Sequence, residues 1–398
     1  MSYGPGIVKA KIDGIAAGGA GVARIDGKSV FVEGGIPGET VVCRVLEERG
    51  SWARAETLEI LEASQDRARP ECPFYGRCGG CGLRHMGYEA QLAAKTAILK
   101  DSFVRIGGLV PPEPAVSPCV PREYRNRMQF HAFRGFDKNR PDAFCGLKAR
   151  GSDEIVPVSD CPVADPGLRR LLSEGGSEAR ALFVSPGKDR VTVYSREGLL
   201  LSENGPSRGR TRILDGELLL DAGVFFQSNG AMLEKLLSDL TGIARGLGDA
   251  ERSLPMADLY CGVGTFAAFL GGFFTGVDMV EGNKTALALA GENLAGNKSA
   301  KFYPGRIGDW AKNRALDGYG LAVVDPPRQG LDSALTRRLV EKGPRVLAYV
   351  SCNPATLARD CGTLIESYDI AELRWYDFYP HTAHIESLAV LIGRGGRP

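Results

Sequence analysis

The chain has 398 residues, enough for two or three domains, each with its own core. Its 43% hydrophobic and 24% charged residues are those of an ordinary globular protein, and no apolar run approaches the ~18 residues of a membrane span. A net charge of +1 excludes binding of nucleic acid by bulk charge, although not by a local basic face.

Residues 1–10 lack a basic then apolar leader, so the cytoplasm is the expected compartment. Residues 1–62 read as five short strands, at 7–12, 21–25, 28–32, 40–46 and 52–60, joined by Gly-rich turns. Asp26-Gly27 is a two-residue hairpin signal. Five strands without a helix predict a small closed barrel, a shape often used to bind oligonucleotides. Residues 63–85 are rich in cysteine and turn formers.

A helix is expected over 88–106, because Leu92, Thr96, Leu99, Phe103 and Ile106 step by four and three along one face. Gly107 and Gly108 end it, with Pro111-Pro112 behind. From 114 to about 223 the pattern predicts a mostly antiparallel sheet, with loops at 173–180 and 202–210. Within it, Arg122, Arg125, Arg127, Arg134, Lys138, Arg140, Lys148 and Arg150 alternate with Tyr124, Phe130, Phe133, Phe136 and Phe144. Basic groups neutralise phosphates and aromatic rings stack on unpaired bases. A solvated sheet face above its core aromatics has the same composition.

From 224 the pattern changes to helix 230–247, strand 256–260, strand 273–280, helix 283–294, and strands 321–324 and 345–350. Alternating strands and helices predict an α/β fold with a doubly wound parallel sheet. Such sheets bind ligands outside the carboxyl ends of their strands, and four motifs fall there.

Asp258-Leu259-Tyr260-Cys261-Gly262-Val263-Gly264-Thr265 is a tight glycine turn that lets a ligand approach the backbone. It lacks the third glycine of a dinucleotide fingerprint, which argues against a nicotinamide cofactor. Glu281, nineteen residues past Gly262, is placed to hold ribose hydroxyls, with Asp278 as its competitor. Asp325-Pro326-Pro327-Arg328 holds a carboxylate on a stiffened strand exit. Ser351-Cys352-Asn353-Pro354 offers a nucleophile at the next strand end, whereas Cys261 and Cys361 read as core. In His381-Thr382-Ala383-His384-Ile385-Glu386-Ser387, Glu386 is a candidate base, and either histidine is an alternative.

The chain has ten cysteines. Cys72, Cys78 and Cys81 are clustered at spacing suited to iron–sulfur or zinc, with Cys119, Cys145 and Cys161 as competing fourth ligands.

Together these motifs resemble the RNA uracil-C5 methyltransferases, in particular the 23S rRNA enzymes that carry a TRAM barrel and a 4Fe–4S cluster. G-V-A-R-I-D-G-K-S-V-F-V resembles the barrel, C-P-F-Y-G-R-C-G-G-C with D-C-P-V the cluster site, and Y-R-N-R-M-Q-F an RNA-facing segment. The resemblance covers almost the whole chain. It implies a TRAM barrel at 1–62, a central iron–sulfur and RNA-binding domain at 63–85 and 114–223, and a Rossmann-like methyltransferase domain at 86–113 and 224–398. It further implies Cys352 as nucleophile and Glu386 as base. Cluster ligands would be Cys72, Cys78, Cys81 and Cys161. F-F-Q-S-N places Gln227 beside Tyr260, Glu281 and Asp325 around S-adenosylmethionine and the target base, with Thr265 a further contact where several relatives have Asn. The expected partner is 23S rRNA, with tRNA as the alternative substrate, no membrane is involved, and the protein is expected to act as a monomer. A cytosine-C5 enzyme would carry a cysteine in the proline turn, which here reads D-P-P-R. A radical methylthiotransferase would space its cysteines three then two apart.

Overall fold

A computed structural model describes residues 6–133, 145–174, 189–312 and 314–394. Arg134, Phe136, Lys138, Arg140 and Phe144 of the basic–aromatic window, and most of the loop at 173–180, lie outside the described residues. The chain divides into two compact units. One comprises Met1–Leu99, Lys148–Val156 and Tyr379–His384, and the other Lys100–Leu147, Pro157–Phe378 and Ile385–Pro398.

The first unit opens with β1 (Ile7–Lys11), β2 (Gly14–Ile15), β3 (Gly21–Ile25), β4 (Lys28–Glu33), β5 (Thr40–Glu48) and β6 (Trp52–Glu62). They form one sheet in the order β1-β5-β6-β4-β3-β2. Alternation along each strand sends Ala10, Ala23, Val30, Val32, Val41, Cys43, Ala53 and Ala55 into a shared apolar core. Asp26 and Gly27 both take positive φ, which matches the right-handed twist of the β3–β4 hairpin they join. Burial alone would raise the Glu39 carboxyl. The hydrogen bond and charge of Arg67 outweigh that and hold it below the usual range, which ties the segment after β6 to the sheet.

Helix α1 (Tyr88–Ser102) ends four residues short of the expectation and widens into one π-helical turn, Phe103–Gly107. The cause is close packing. A Cβ on Gly107 would lie 2.7 Å from the Ala358 carbonyl oxygen, so only glycine lets this turn rest on the helix beneath it.

The second unit continues with β7 (Ala115–Ser117), β8 (Arg127–Ala132) and β9 (Cys145–Lys148), and the short β10 (Ile155–Val156) belongs to the first. Then come α2 (Pro166–Glu174), β11 (Arg190–Arg196), β12 (Leu199–Ser202), β13 (Arg208–Ile213) and β14 (Gly216–Asp221). Strands β9, β8, β11 and β12 pair antiparallel, as expected, and β13–β14 is a separate hairpin. The loop expected at 202–210 ends early because Arg208, Arg210 and Arg212 alternate along β13 with the buried Thr211 and Ile213 on its other face.

The remaining chain gives α3 (Gly230–Gly246), α4 (Asp249–Arg252), β15 (Met256–Leu259), α5 (Thr265–Leu270), β16 (Val277–Glu281), α6 (Lys284–Asn293), β17 (Ala300–Pro304) and α7 (Ile307–Ala311). It ends with β18 (Leu321–Val324), α8 (Ser333–Lys342), β19 (Val346–Ser351), α9 (Pro354–Leu364), β20 (Tyr368–Tyr376) and β21 (Glu386–Gly393). Eight strands form one sheet in the order β17-β16-β15-β18-β19-β21-β20-β7. Strands β15 to β19 are parallel, and β21 runs antiparallel to both neighbours. Every residue of β15, β18 and β19 is buried, as expected of strands covered by helices on both faces. The strand order reverses between β15 and β18, which opens a crevice at their carboxyl ends.

Candidate active site

The crevice is lined by the residues that follow these strand ends. After β15 the chain turns through Tyr260, Gly262 and Gly264, all with positive φ. The Tyr260 and Cys261 amides donate to the Val280 carbonyl at 3.0 and 3.2 Å, so the turn is stitched to β16. A Cβ on Gly264 would meet Ala290 of α6 and Leu294 just after it at 3.0 Å, whereas nothing lies within 4 Å of one on Gly262. The turn is therefore packed on its inner side and open on its outer side.

Glu281 ends β16 and holds this turn. Its carboxylate accepts the Gly262 amide at 3.0 Å and the Asn283 amide at 2.7 Å. Asp278 is engaged elsewhere, accepting the Tyr319 hydroxyl at 2.6 Å and that of Tyr303 at 3.3 Å. Asp258 is fully buried and accepts the Ala267 amide at 3.0 Å. Burial, then the charges of Asp325 and Glu281, push its carboxyl up to about 7. One Asp258 oxygen and the side-chain oxygen of Gln227 are buried without a hydrogen-bond partner. Thr265 opens α5 and is half-buried.

Two further strand ends face the turn. Register pairs Leu259 with Val324, so Asp325 follows beside Tyr260, and its amide donates to the Leu259 carbonyl at 3.3 Å. Burial pushes the Asp325 carboxyl up to about 7. Strand β19 pairs Ser351 with Ser387 of β21, which sets Cys352 one step past the pair, across from Glu386. Glu386 is buried, one of its oxygens has no partner, and burial with the Asp325 charge pushes its carboxyl well above the usual range. Cys352 is half-buried, and its thiol is pushed up to about 11 by burial, Glu386 and Asp325, with Arg328 pulling the other way. Cysteine, two carboxylates and a guanidinium thus share one electrostatic neighbourhood. The arrangement joins a sulfur nucleophile to a carboxylate base beside a loop open to a ligand.

Cys261 and Cys361 are buried in the core, with thiols raised by burial. In the first unit, the His381 amide donates to the Gln91 side-chain oxygen at 2.9 Å, and His384 packs edge-on against Tyr379. Cys72, Cys78 and Cys81 lie half-buried in a tight turn of that unit, where the Gly80 amide reaches the Cys78 sulfur at 3.4 Å. Cys161 is half-buried just before α2 in the second unit. Among the described residues, no three His, Cys, Asp or Glu side chains are grouped so as to hold a metal ion.

Comparison with known proteins decides the family. The model of the tRNA (uracil-5-)-methyltransferase family matches residues 311–394, which contain the Asp325, Cys352 and Glu386 segments. The chain is 30% identical to 23S rRNA (uracil(1939)-C(5))-methyltransferase RlmD of Pseudomonas savastanoi, over 95% of this chain and 92% of that one. It is 31% identical to the same enzyme of Aeromonas hydrophila, over 93% and 92%. The chain belongs to the RNA uracil-C5 methyltransferase family.

This RNA uracil-C5 methyltransferase is also 31% identical to an uncharacterised RNA methyltransferase of Streptomyces coelicolor, over 95% of this chain and 91% of that one. It shares its fold with the tRNA (uracil-54, C5)-methyltransferase of Pyrococcus abyssi, solved with S-adenosyl-L-homocysteine. That match has a TM-score of 0.72 at 24% identity and covers 97% of this chain and all of that one. S-adenosylmethionine is the methyl donor of the methyltransferase. The crevice suits such a molecule, with an open glycine turn, a carboxylate at the end of β16, and buried oxygens of Gln227 and Asp258 that lack partners. No helix among the described residues is long and apolar enough to cross a membrane.

Sequence reasoning quoted Arg328 but gave it no role, although it bears on the Cys352 thiol. Its position directly after the two prolines was the available signal.

Proposed function

We propose that the chain methylates carbon 5 of a uridine in 23S rRNA, with Cys352 as nucleophile and Glu386 as base. The observation that carries this is the Ser351–Ser387 register, which pairs the strands immediately before Cys352 and after Glu386. The 30–31% identical relatives named for 23S rRNA favour that substrate over tRNA.

Carbon 5 of uracil is a weak nucleophile until a group adds at carbon 6. The Cys352 thiolate forms the sulfur–carbon 6 bond, and its electrons pass to carbon 5 and the carbonyl oxygen. S-adenosylmethionine, when bound, supplies an electrophilic methyl group: carbon 5 bonds to it as the methyl–sulfonium bond breaks, and S-adenosylhomocysteine is the leaving group. Gln227, Tyr260, Thr265, Glu281 and Asp325 would hold the donor and the base. Glu386 then removes the carbon 5 proton, a task for which a raised carboxyl is the better base. Breaking the sulfur–carbon 6 bond restores the ring and frees Cys352. The uridine must leave its stack for a sulfur to reach its face, at a cost of about a few kcal/mol.

Residues 1–62 would form a TRAM barrel that holds flanking RNA, and their six-stranded sheet around an apolar core supports this. Residues 63–85 and 114–223 would form the central domain, and 86–113 and 224–398 the methyltransferase domain. Cys72, Cys78, Cys81 and Cys161 would bind a 4Fe–4S cluster with a structural role, supported by four thiols of which three lie within ten residues. The protein would act as a cytoplasmic monomer.

The test is to incubate the protein and S-adenosylmethionine with total RNA from a strain lacking it, then to map 5-methyluridine by mass spectrometry. New 5-methyluridine in 23S rRNA is expected. Its appearance in tRNA alone would overturn the substrate, and 5-methylcytidine would overturn the chemistry.

A further inference from the structure

The loop that carries Asp325 and Arg328 does not stand alone. Four consecutive residues beyond its prolines are seated on the side chains of α9. The Arg328 carbonyl accepts the Asn353 amide nitrogen at 2.9 Å and the Thr356 hydroxyl at 3.3 Å. The Gln329 carbonyl accepts Arg359 Nη2 at 2.9 Å. Gly330, with φ +81°, lies so close that a Cβ there would fall 2.5 Å from Asp360 Oδ2. The Leu331 amide donates to the same Oδ2 at 2.8 Å.

Asp360 is the hub of this contact. It is 4% exposed, and it also accepts the Tyr349 hydroxyl from β19 at 2.7 Å and the Arg359 guanidinium on Oδ1 at 2.7 and 2.9 Å. Asn353, Thr356 and Asp360 recur at helical spacing, so one face of α9 grips the loop. The same helix begins immediately after Cys352, with Asn353 as its N-cap. On the far side of the loop, the Asp332 amide lies 3.4 Å from the Tyr260 hydroxyl.

We propose that Asp360 is a positioning residue that sets the 325–331 loop, and with it Asp325 and Arg328, against Cys352. It touches neither substrate nor donor. A buried carboxylate that accepts from the loop, from the strand leading to the nucleophile and from its own helix fixes all three in one frame. The inference rests on the proposed roles of Cys352 and Asp325. Misplacing reacting groups by about 1 Å can cost on the order of a hundredfold in rate.

The experiment compares wild type with Asp360→Asn, which keeps the shape but sets an amide against donors. Steady-state methylation of an RNA substrate is measured well below the melting temperature, alongside iodoacetamide labelling of the Cys352 peptide against pH. The expected result is a fall in kcat of about a hundredfold, KM values within about threefold, and a displaced labelling midpoint, because Asp325 and Arg328 both bear on that thiol. A folded variant with full kcat and an unmoved midpoint overturns the proposal, even if its Tm is lower. Should Asp360→Asn fail to fold, Thr356→Val removes a hydroxyl that contacts the loop at the Arg328 carbonyl and the helix start at the Asn353 carbonyl. An unchanged Tm with kcat reduced about fivefold supports the proposal, and unchanged kcat overturns it. The labelling arm needs no RNA, so it reads loop position even in a preparation that methylates nothing. Failure of the chemical assignment is thereby distinguished from failure of this inference.

Discussion

Replacing Glu386 by Gln asks whether its carboxylate faces the Cys352 thiol. That thiol stands at about 11 against its ordinary 9. At pH 8 about one molecule in a thousand would carry thiolate, where an unperturbed thiol would show about one in ten. Burial is the largest cause, Glu386 the second and Asp325 the third, while Arg328 opposes them. The share of Glu386 is smaller than that of burial. Removing its charge should lower the midpoint by about one unit or less, which is up to about tenfold more thiolate at a fixed pH. Glu386 is itself raised and faces Asp325, so its charge acts on the sulfur only once it has ionised. The gap between the two proteins therefore opens as pH rises. The assay is iodoacetamide labelling of the free protein across pH, followed on the Cys352 peptide by mass spectrometry. A variant midpoint equal to or above that of wild type would refute the reasoning, because no negative charge would then face the thiol.

Asp258 gives a test through stability. Its folded pKa of about 7 lies above the ordinary 3.8, so the folded state holds the extra proton between those values. Stability therefore falls as pH rises from about 4 to about 7, and the loss is complete above that. The Tm of Asp258→Asn relative to wild type should climb across that window and level off beyond it. A flat difference in thermal unfolding would deny the buried charge. Glu281→Gln should weaken S-adenosylhomocysteine binding by about tenfold in calorimetry, whereas Asp278→Asn should lower Tm and leave Kd within about threefold. The reverse pattern would move the donor contact to Asp278. Cys72→Ser or Cys81→Ser should abolish bound iron and its visible absorbance. Wild-type protein purified anaerobically with stoichiometric zinc and no iron would contradict the cluster.

The methyltransferase half of the fold was legible because its strands are covered on both sides. Leu321–Val324 is a continuous apolar run bounded by a proline turn, and its limits match the expectation. Strand β17 was missed because Ala300–Pro304 lies at the sheet edge, where polar and aromatic residues face solvent and the apolar signal fades. The strand expected at 273–280 begins only at Val277, since Gly271–Phe273 closes a 3-10 turn that apolar composition alone does not reveal. The helix over 88–106 shows the same limit. Its periodicity continues through Phe103 and Ile106, but contact with Ala358, far away in sequence, widens the last turn. At the site, spacing left Asp278 and Glu281 as alternatives. The two differ in partners that sequence does not show, two phenols for Asp278 and the glycine-turn amide for Glu281. The grip of α9 on the proline loop was likewise invisible, because it depends on a buried aspartate that meets a loop 29 residues earlier.

The covalent route is tested most directly with an RNA substrate that carries 5-fluorouridine, whose fluorine cannot leave as the carbon 5 proton does. In the presence of S-adenosylmethionine, the protein should become bound to this RNA in a complex that survives denaturation, and digestion should locate the link at Cys352. A link at another cysteine, or 5-methyluridine still formed by Cys352→Ala, would contradict it.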